Sequence, residues 1–154
     1  MKTLGVARLF EDQREDLQLE QLTDSLASKC EITVSDINRP GMALMGFMEN
    51  FLPERIQIIA QTELTYLATL SPGAVREALD RFFSFTMPLV VICKELQVPP
   101  YLVQRANEVG VPVLRTPQST TPFIHSLTSY LDHMFAPSVS VHGSLVDVYG
   151  CGLL

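Results

Sequence analysis

The sequence predicts an α/β fold: a mostly parallel sheet with helices on both faces, followed by a short β-rich tail belonging to a second domain. Three observations carry this expectation. Strand-like and helix-like segments alternate from residue 31 to residue 135, a pattern that implies parallel strands joined by right-handed crossovers. PLVVIC (88–93) is continuously apolar, as a strand covered on both faces must be. After Pro137 the helices stop, and SVSVHGSLVDVYGCGLL is β-rich and punctuated by glycine.

The elements follow in order. Residues 4–16 form a short helix, with Leu4, Ala7, Leu9 and Phe10 on its apolar side. LQLEQL (17–22) alternates at strand period, and EITVSD (31–36) is a second strand with Ile32 and Val34 on one face. Pro40 disfavours helix at Arg39, so the next helix starts near Gly41. It carries Met42, Leu44, Met45, Phe47, Met48 and Phe51, and the methionines read most simply as core. RIQIIA (55–60) is a strand and Thr62–Leu70 a helix. Ser71-Pro72 opens another helix, because serine caps and proline suits the first helical position. A helix from the Pro99-Pro100 pair ends at Gly110, PVLR (112–115) is the last strand, and Thr121-Pro122 starts a helix ending near Phe135. The domains are therefore 1–136, an α/β unit, and 137–154, a linker with the first strands of another domain.

Composition sets the function classes. Of the 154 residues 47% are hydrophobic and 18% charged, which excludes general disorder. A mean hydropathy of +0.20 points to apolar surface meant for a partner or a further domain. The formal net charge of −6 disfavours nucleic acid and anionic membrane as partners. No apolar stretch approaches the roughly 20 residues that a membrane span needs, and the N-terminus lacks a secretory apolar core. Cys30, Cys93 and Cys151 are odd in number and widely spaced, which disfavours a disulfide framework or metal site and suits a reducing cytosol.

Chemistry in an open parallel sheet collects where loops leave the carboxyl ends of the strands. Those loops offer Asp36, Asn38 and Arg39; then Gln61, Thr62 and Glu63; then Lys94 and Glu95; then Arg115, Thr116, Gln118, Ser119, Thr120 and Thr121. One reading is a small polar pocket for an anion, with Arg39 and Arg115 facing it and a helix N-terminus beside it. The other is that these residues cap helices and hold turns, with Arg39 paired to Asp36 or to a carbonyl. His125 and His133 are too far apart to share a metal as i, i+4 ligands. No GxxxxGK[ST], GxGxxG or GxSxG motif occurs.

EITVSDINRPGMALMGFMENFLPERIQII (31–59), LRTPQSTTPFI (114–124) and SVSVHGSLVDVYGCGLL (138–154), in that order and spacing, resemble the amino-terminal half of bacterial HPr kinase/phosphorylase. The likeness runs from about Leu17 to the end, while residues 1–16 match only loosely. It implies a cytoplasmic two-domain enzyme, hexameric through its C-terminal domain. That enzyme phosphorylates a serine of the carrier protein HPr with ATP or pyrophosphate and Mg2+, and removes the phosphate by phosphorolysis. It further implies that His142, in the strand pair that leads to the family's phosphate loop, is an active-site residue. The loop's lysine and serine, the catalytic aspartate and the distal arginine have no counterpart in these residues, so the chain by itself is expected to hold no cofactor and to be inactive. Cys151 stands where the family pattern suggests a small aliphatic residue, and reads as a buried strand residue. Two alternatives of another class stand beside this one: a small-ligand sensor with its pocket at Arg39, Thr62, Arg115 and Ser119–Thr121, and a subunit-docking module.

Overall fold

A computed structural model describes residues 2–94 and 97–137. The elements are α1 (Val6–Gln13), β1 (Glu20–Gln21), β2 (Ile37–Asn38), α2 (Gly41–Leu44), β3 (Ile56–Ile59), α3 (Gln61–Ala68), α4 (Pro72–Phe82), β4 (Val90–Cys93), α5 (Pro100–Val109), β5 (Val113–Thr116) and α6 (Thr120–Phe135). They build a five-stranded sheet in the order β1-β5-β4-β3-β2. The four strands β2 to β5 are parallel, and β1 closes the β5 edge antiparallel, with Glu20 opposite Arg115.

The sheet is sandwiched, as its sequence requires. Every position of IQII in β3 and VVIC in β4 is buried, because alternate side chains enter two different cores. Ile56, Ile58, Val91 and Leu114 pack with α1 and with Phe123, Leu127 and Leu131 of α6. Ile59, Val90, Ile92 and Val113 pack with Leu44, Leu64, Leu67, Leu79, Phe82 and Leu102 from α2 to α5. Ser71 caps α4 by accepting the Ala74 N–H at 3.2 Å. Gly110 ends α5 in the left-handed region at φ +79°, which glycine adopts without a Cβ penalty.

Four expectations need correction. EITVSD is not a strand: Ile32 makes only an isolated antiparallel bridge with Leu4, and the sheet strand begins at Ile37. Of LQLEQL only Glu20–Gln21 is strand. The helix at Gly41 stops at Leu44, since Gly46 takes φ +107° and breaks the run before Phe47. The methionines of that segment are therefore not core: Met42 is 60% and Met45 59% exposed, while Leu44 is buried.

The beginning of the chain is sewn to residues 113–136. Leu22 N–H donates to the Val113 carbonyl at 2.9 Å, the Thr116 hydroxyl donates to the Leu17 carbonyl at 2.7 Å, and Lys2 Nζ donates to the Ala136 carbonyl. Buried Thr23 accepts the Val113 N–H at 3.1 Å and donates to the Ser25 carbonyl.

Candidate functional site

The parallel order puts the carboxyl ends of β2, β3, β4 and β5 side by side, with the start of the next helix or loop above each. Gln57, fully buried in β3, anchors the β2 side of this edge. Its amide nitrogen donates to the carbonyls of Leu52 at 2.9 Å and Arg55 at 3.0 Å. Its amide oxygen accepts from Asn38 Nδ2 at 2.7 Å. Satisfying all three is what makes a buried amide tolerable, and it fixes β2 and the chain after it.

Arg39 follows β2, and its Nη2 lies 3.1 Å from Glu63 Oε1. The same oxygen accepts the Ala60 N–H at 2.9 Å, half of a capping box for α3. The Glu63 side chain is 4% exposed and that of Arg39 40%. A carboxylate withdrawn from water needs such partners. Cys93, buried at the end of β4, lies within electrostatic reach of Arg39, Glu63 and Lys94, and beside the Thr120 hydroxyl. Burial pushes its thiol up to about 11, against the opposing pull of Arg39, Thr120 and Lys94. Lys94 sits in the left-handed region at φ 73°, and its N–H donates to the Gln118 carbonyl at 3.1 Å, which ties the β4 exit to the β5 exit.

The residues expected from the sequence divide into three groups. Arg39 and Thr120 meet at Cys93, with Glu63 beside Arg39, while Asn38 bonds Gln57, level with Val90 at the start of β4. Asp36, Arg115 and Thr116 are spent elsewhere. Asp36 faces Arg55 at 3.9 Å rather than Arg39. Arg115 pairs with Glu20 across the β1–β5 ladder at 2.8 Å. Buried Thr116 holds Leu17 and accepts the Gln118 N–H at 3.2 Å. Thr62, Ser119 and Thr121 are exposed, and Ser119 stands at the N-cap position of α6 without a side-chain capping bond. His142 and Cys151 lie outside the described residues. Glu63 stands in the strand-exit run Gln61-Thr62-Glu63 but not among the residues expected to line the pocket, and its signal is its place three residues beyond the N-cap of α3.

Beside Arg39 the edge opens into a cleft of about 230 Å³. Asn38, Arg39 and Pro40 form one side; Met42 and Ala43 of α2, with Phe47, Asn50 and Phe51, form the rest. Arg39 is the single charged residue in the wall. Phe51 is held from behind by Phe82 and Phe85, at ring-centroid distances of 5.8 and 5.1 Å. Among the described residues no three or more His, Cys, Asp or Glu side chains gather as metal ligands, and no helix is long and apolar enough to cross a membrane.

Comparison with known proteins gives a consistent likeness. The family model described as HPr Serine kinase N terminus matches residues 4–131, and so includes the start that reads loosely by eye. An HPr kinase/phosphorylase of Alkaliphilus metalliredigens is 40% identical over 154 residues, covering 100% of this chain and 48% of its own length. One from Thermoanaerobacter sp. (strain X514) is 39% identical over 140 residues, covering 91% of this chain and 46% of the relative. One from Clostridium perfringens is 42% identical over 123 residues, covering 80% and 40%. The chain thus spans about half the length of these curated relatives. Among solved structures, the CBS and DRTGG domains of the regulatory region of Clostridium perfringens pyrophosphatase align with a TM-score of 0.47 and 9% identity, over 77% of this chain and 45% of that one.

Proposed function

The chain belongs to the HPr Serine kinase N-terminal family, and on that premise we propose that it is the amino-terminal portion of a bifunctional HPr(Ser) kinase/phosphorylase. The observation that carries this reading is the continuous likeness to enzymes of that name along the whole chain. In this reading the complete enzyme is cytoplasmic and hexameric. It uses ATP or pyrophosphate with Mg2+ and acts on a serine of HPr, with no nucleic acid or membrane partner. Phosphoryl transfer needs backbone amides cradling phosphates, a lysine and a metal site. The 154 residues contain no phosphate-loop motif, and the described ones gather no metal ligands. No step through nucleotide or magnesium is therefore assigned to them, and the chain alone does not turn over. The α/β unit, residues 1–136, serves as a non-catalytic module beside the kinase domain of the complete enzyme. His142 contributes a polar contact near the phosphates or the acceptor serine.

The test is a chimera in which this chain replaces the matching half of the Alkaliphilus metalliredigens relative. The chimera should phosphorylate HPr with Mg-ATP, while the 154-residue chain alone should give no phosphoserine and no calorimetric heat with Mg-ATP. Turnover by the chain alone, or a folded chimera without activity, would overturn the proposal. In the chimera His142→Ala should lower kcat on the order of 100-fold, as loss of one hydrogen-bonding contact at a reacting centre does.

A further inference from the structure

We infer that the cleft beside Arg39 is a binding site for a small amphiphilic anion: an apolar body of about ten non-hydrogen atoms bearing one carboxylate or phosphate group. The inference goes beyond phosphoryl transfer and does not depend on it. Its volume of about 230 Å³ lies below the roughly 300 Å³ at which drug-sized sites begin, which sets the ligand's size.

The wall chemistry sets the rest. Met42 and Phe47 are 60% and 48% exposed, and both line the cleft. Large apolar side chains left in water beside a concavity mark a place where burial has yet to be completed. Methionine adapts its shape to what it covers. The one charge in the wall is the Arg39 guanidinium. Glu63 takes one of its nitrogens at 3.1 Å, and among the described residues the guanidinium makes no other hydrogen bond, so the rest of its fork is open to an acceptor. Glu63 itself stands outside the cleft wall, where its carboxylate also accepts the Ala60 N–H. In a chain of net charge −6, the one charged group in this wall is a cation, and charge complementarity selects an anion. Size argues against a protein occupant. Met42, Met45, Phe47 and Phe85 are the only exposed large hydrophobics among the described residues, against the roughly 20–30 residues a side of a stable protein interface.

The experiment is a titration of the 154-residue chain, carrying 13C-methyl methionine and 15N, with phenylacetate, phenyl phosphate, benzyl alcohol and inorganic phosphate, read by NMR. Expected are saturable shifts of the Met42 methyl and the Phe47 and Asn50 amides with phenylacetate or phenyl phosphate, and at least tenfold weaker binding of benzyl alcohol and inorganic phosphate. Arg39→Met should erase the preference for the acid over the alcohol. Met42→Asp, at an exposed position that leaves the core intact, should abolish anion binding. A tighter phenyl phosphate assigns the natural group as phosphate, and a tighter phenylacetate as carboxylate. No saturable shift, equal binding of the alcohol, saturation by inorganic phosphate at the amphiphile's concentration, or concentration-dependent Met42 shifts without ligand (a second copy as occupant) would each overturn the inference. Since no readout is enzymatic, failure here and failure of the kinase chimera are separate results.

Discussion

Replacing Glu63 with alanine removes two interactions at once, and the structure separates them. The carboxylate loses the Ala60 N–H at 2.9 Å. That N–H is buried with Ala60, so leaving it unpaired costs about 1–3 kcal/mol. The ion pair with Arg39 is lost as well, but Arg39 is 40% exposed and rehydrates, so this part is worth about 1 kcal/mol or less. The summed loss for Glu63→Ala is about 2–3 kcal/mol, with capping dominant. Glu63→Gln keeps an oxygen for Ala60 and loses only the charge, so it should cost about 1 kcal/mol. Arg39→Ala leaves a carboxylate with 4% exposure and no countercharge, which costs about 1–3 kcal/mol. The assay is urea denaturation followed by far-UV circular dichroism, reading the midpoint at unchanged m. At about 2–4 °C per kcal/mol for a chain of this size, Glu63→Ala should melt some 4–12 °C lower. Glutamine and alanine variants of equal stability would refute the capping assignment. Both lying within about 0.5 kcal/mol of the parent would refute the whole account of this buried carboxylate.

Three further outcomes are expected. In the native chain at pH 8 the Cys93 thiol, raised to about 11 by burial, is about one part in a thousand thiolate; of the two described cysteines, a chromogenic disulfide should modify the half-buried Cys30 before the buried Cys93, which it should reach only in urea, as mass spectrometry of the labelled peptides will show. The Tyr130 hydroxyl donates to Asp12 Oδ2 at 2.7 Å and, with the lesser help of Arg8, holds the Asp12 carboxyl below its usual 3.8; a depressed folded value contributes stability above 3.8 that is lost as pH falls through it, so the penalty of Tyr130→Phe should shrink between pH 6 and pH 3 in urea titrations, and an equal penalty at both refutes the bond. Gly110 sits at φ +79° with Lys29 Cε 3.4 Å from an added Cβ, while nothing lies within 4 Å at Gly73; Gly110→Ala should therefore cost about 1 kcal/mol or more and Gly73→Ala should stabilise by about 0.5–1 kcal/mol, as paired melting curves will show.

What the sequence disclosed follows from how local each signal is. PLVVIC and RIQIIA are buried on both faces and consist of β-branched and aliphatic residues, so no tertiary detail was needed to read β4 and β3. The Ser71-Pro72 start and the Gly110 stop are likewise local. The region from residue 31 to residue 51 was misread because its apolar spacing imitates regular structure. Ile32 is buried against Leu4 rather than within the sheet, and Met42, Met45 and Phe47 keep helical spacing past the point where Gly46 ends the helix. That Arg39 and Thr120 both follow strands of one parallel sheet was legible from strand order; their meeting at Cys93 was not. The partners of Arg115 and Thr116 were not. Glu20 lies in β1 and Leu17 just before it, and although LQLEQL alternates like a strand, nothing in it announces antiparallel pairing with β5.

That late-arriving edge has a consequence for how the molecule is born. The Leu17 carbonyl and the Thr116 hydroxyl that it meets are 99 residues apart. A ribosome adding about 5–20 residues per second needs some 5–20 s to bridge them. Through that interval Leu17 and Leu19, both destined for the interior, lack Leu114 and the α6 side chains that complete their core. A ribosome stalled short of β5 should therefore present an amino-terminal tail open to protease, and the same tail should close as soon as residues 113–118 clear the exit tunnel.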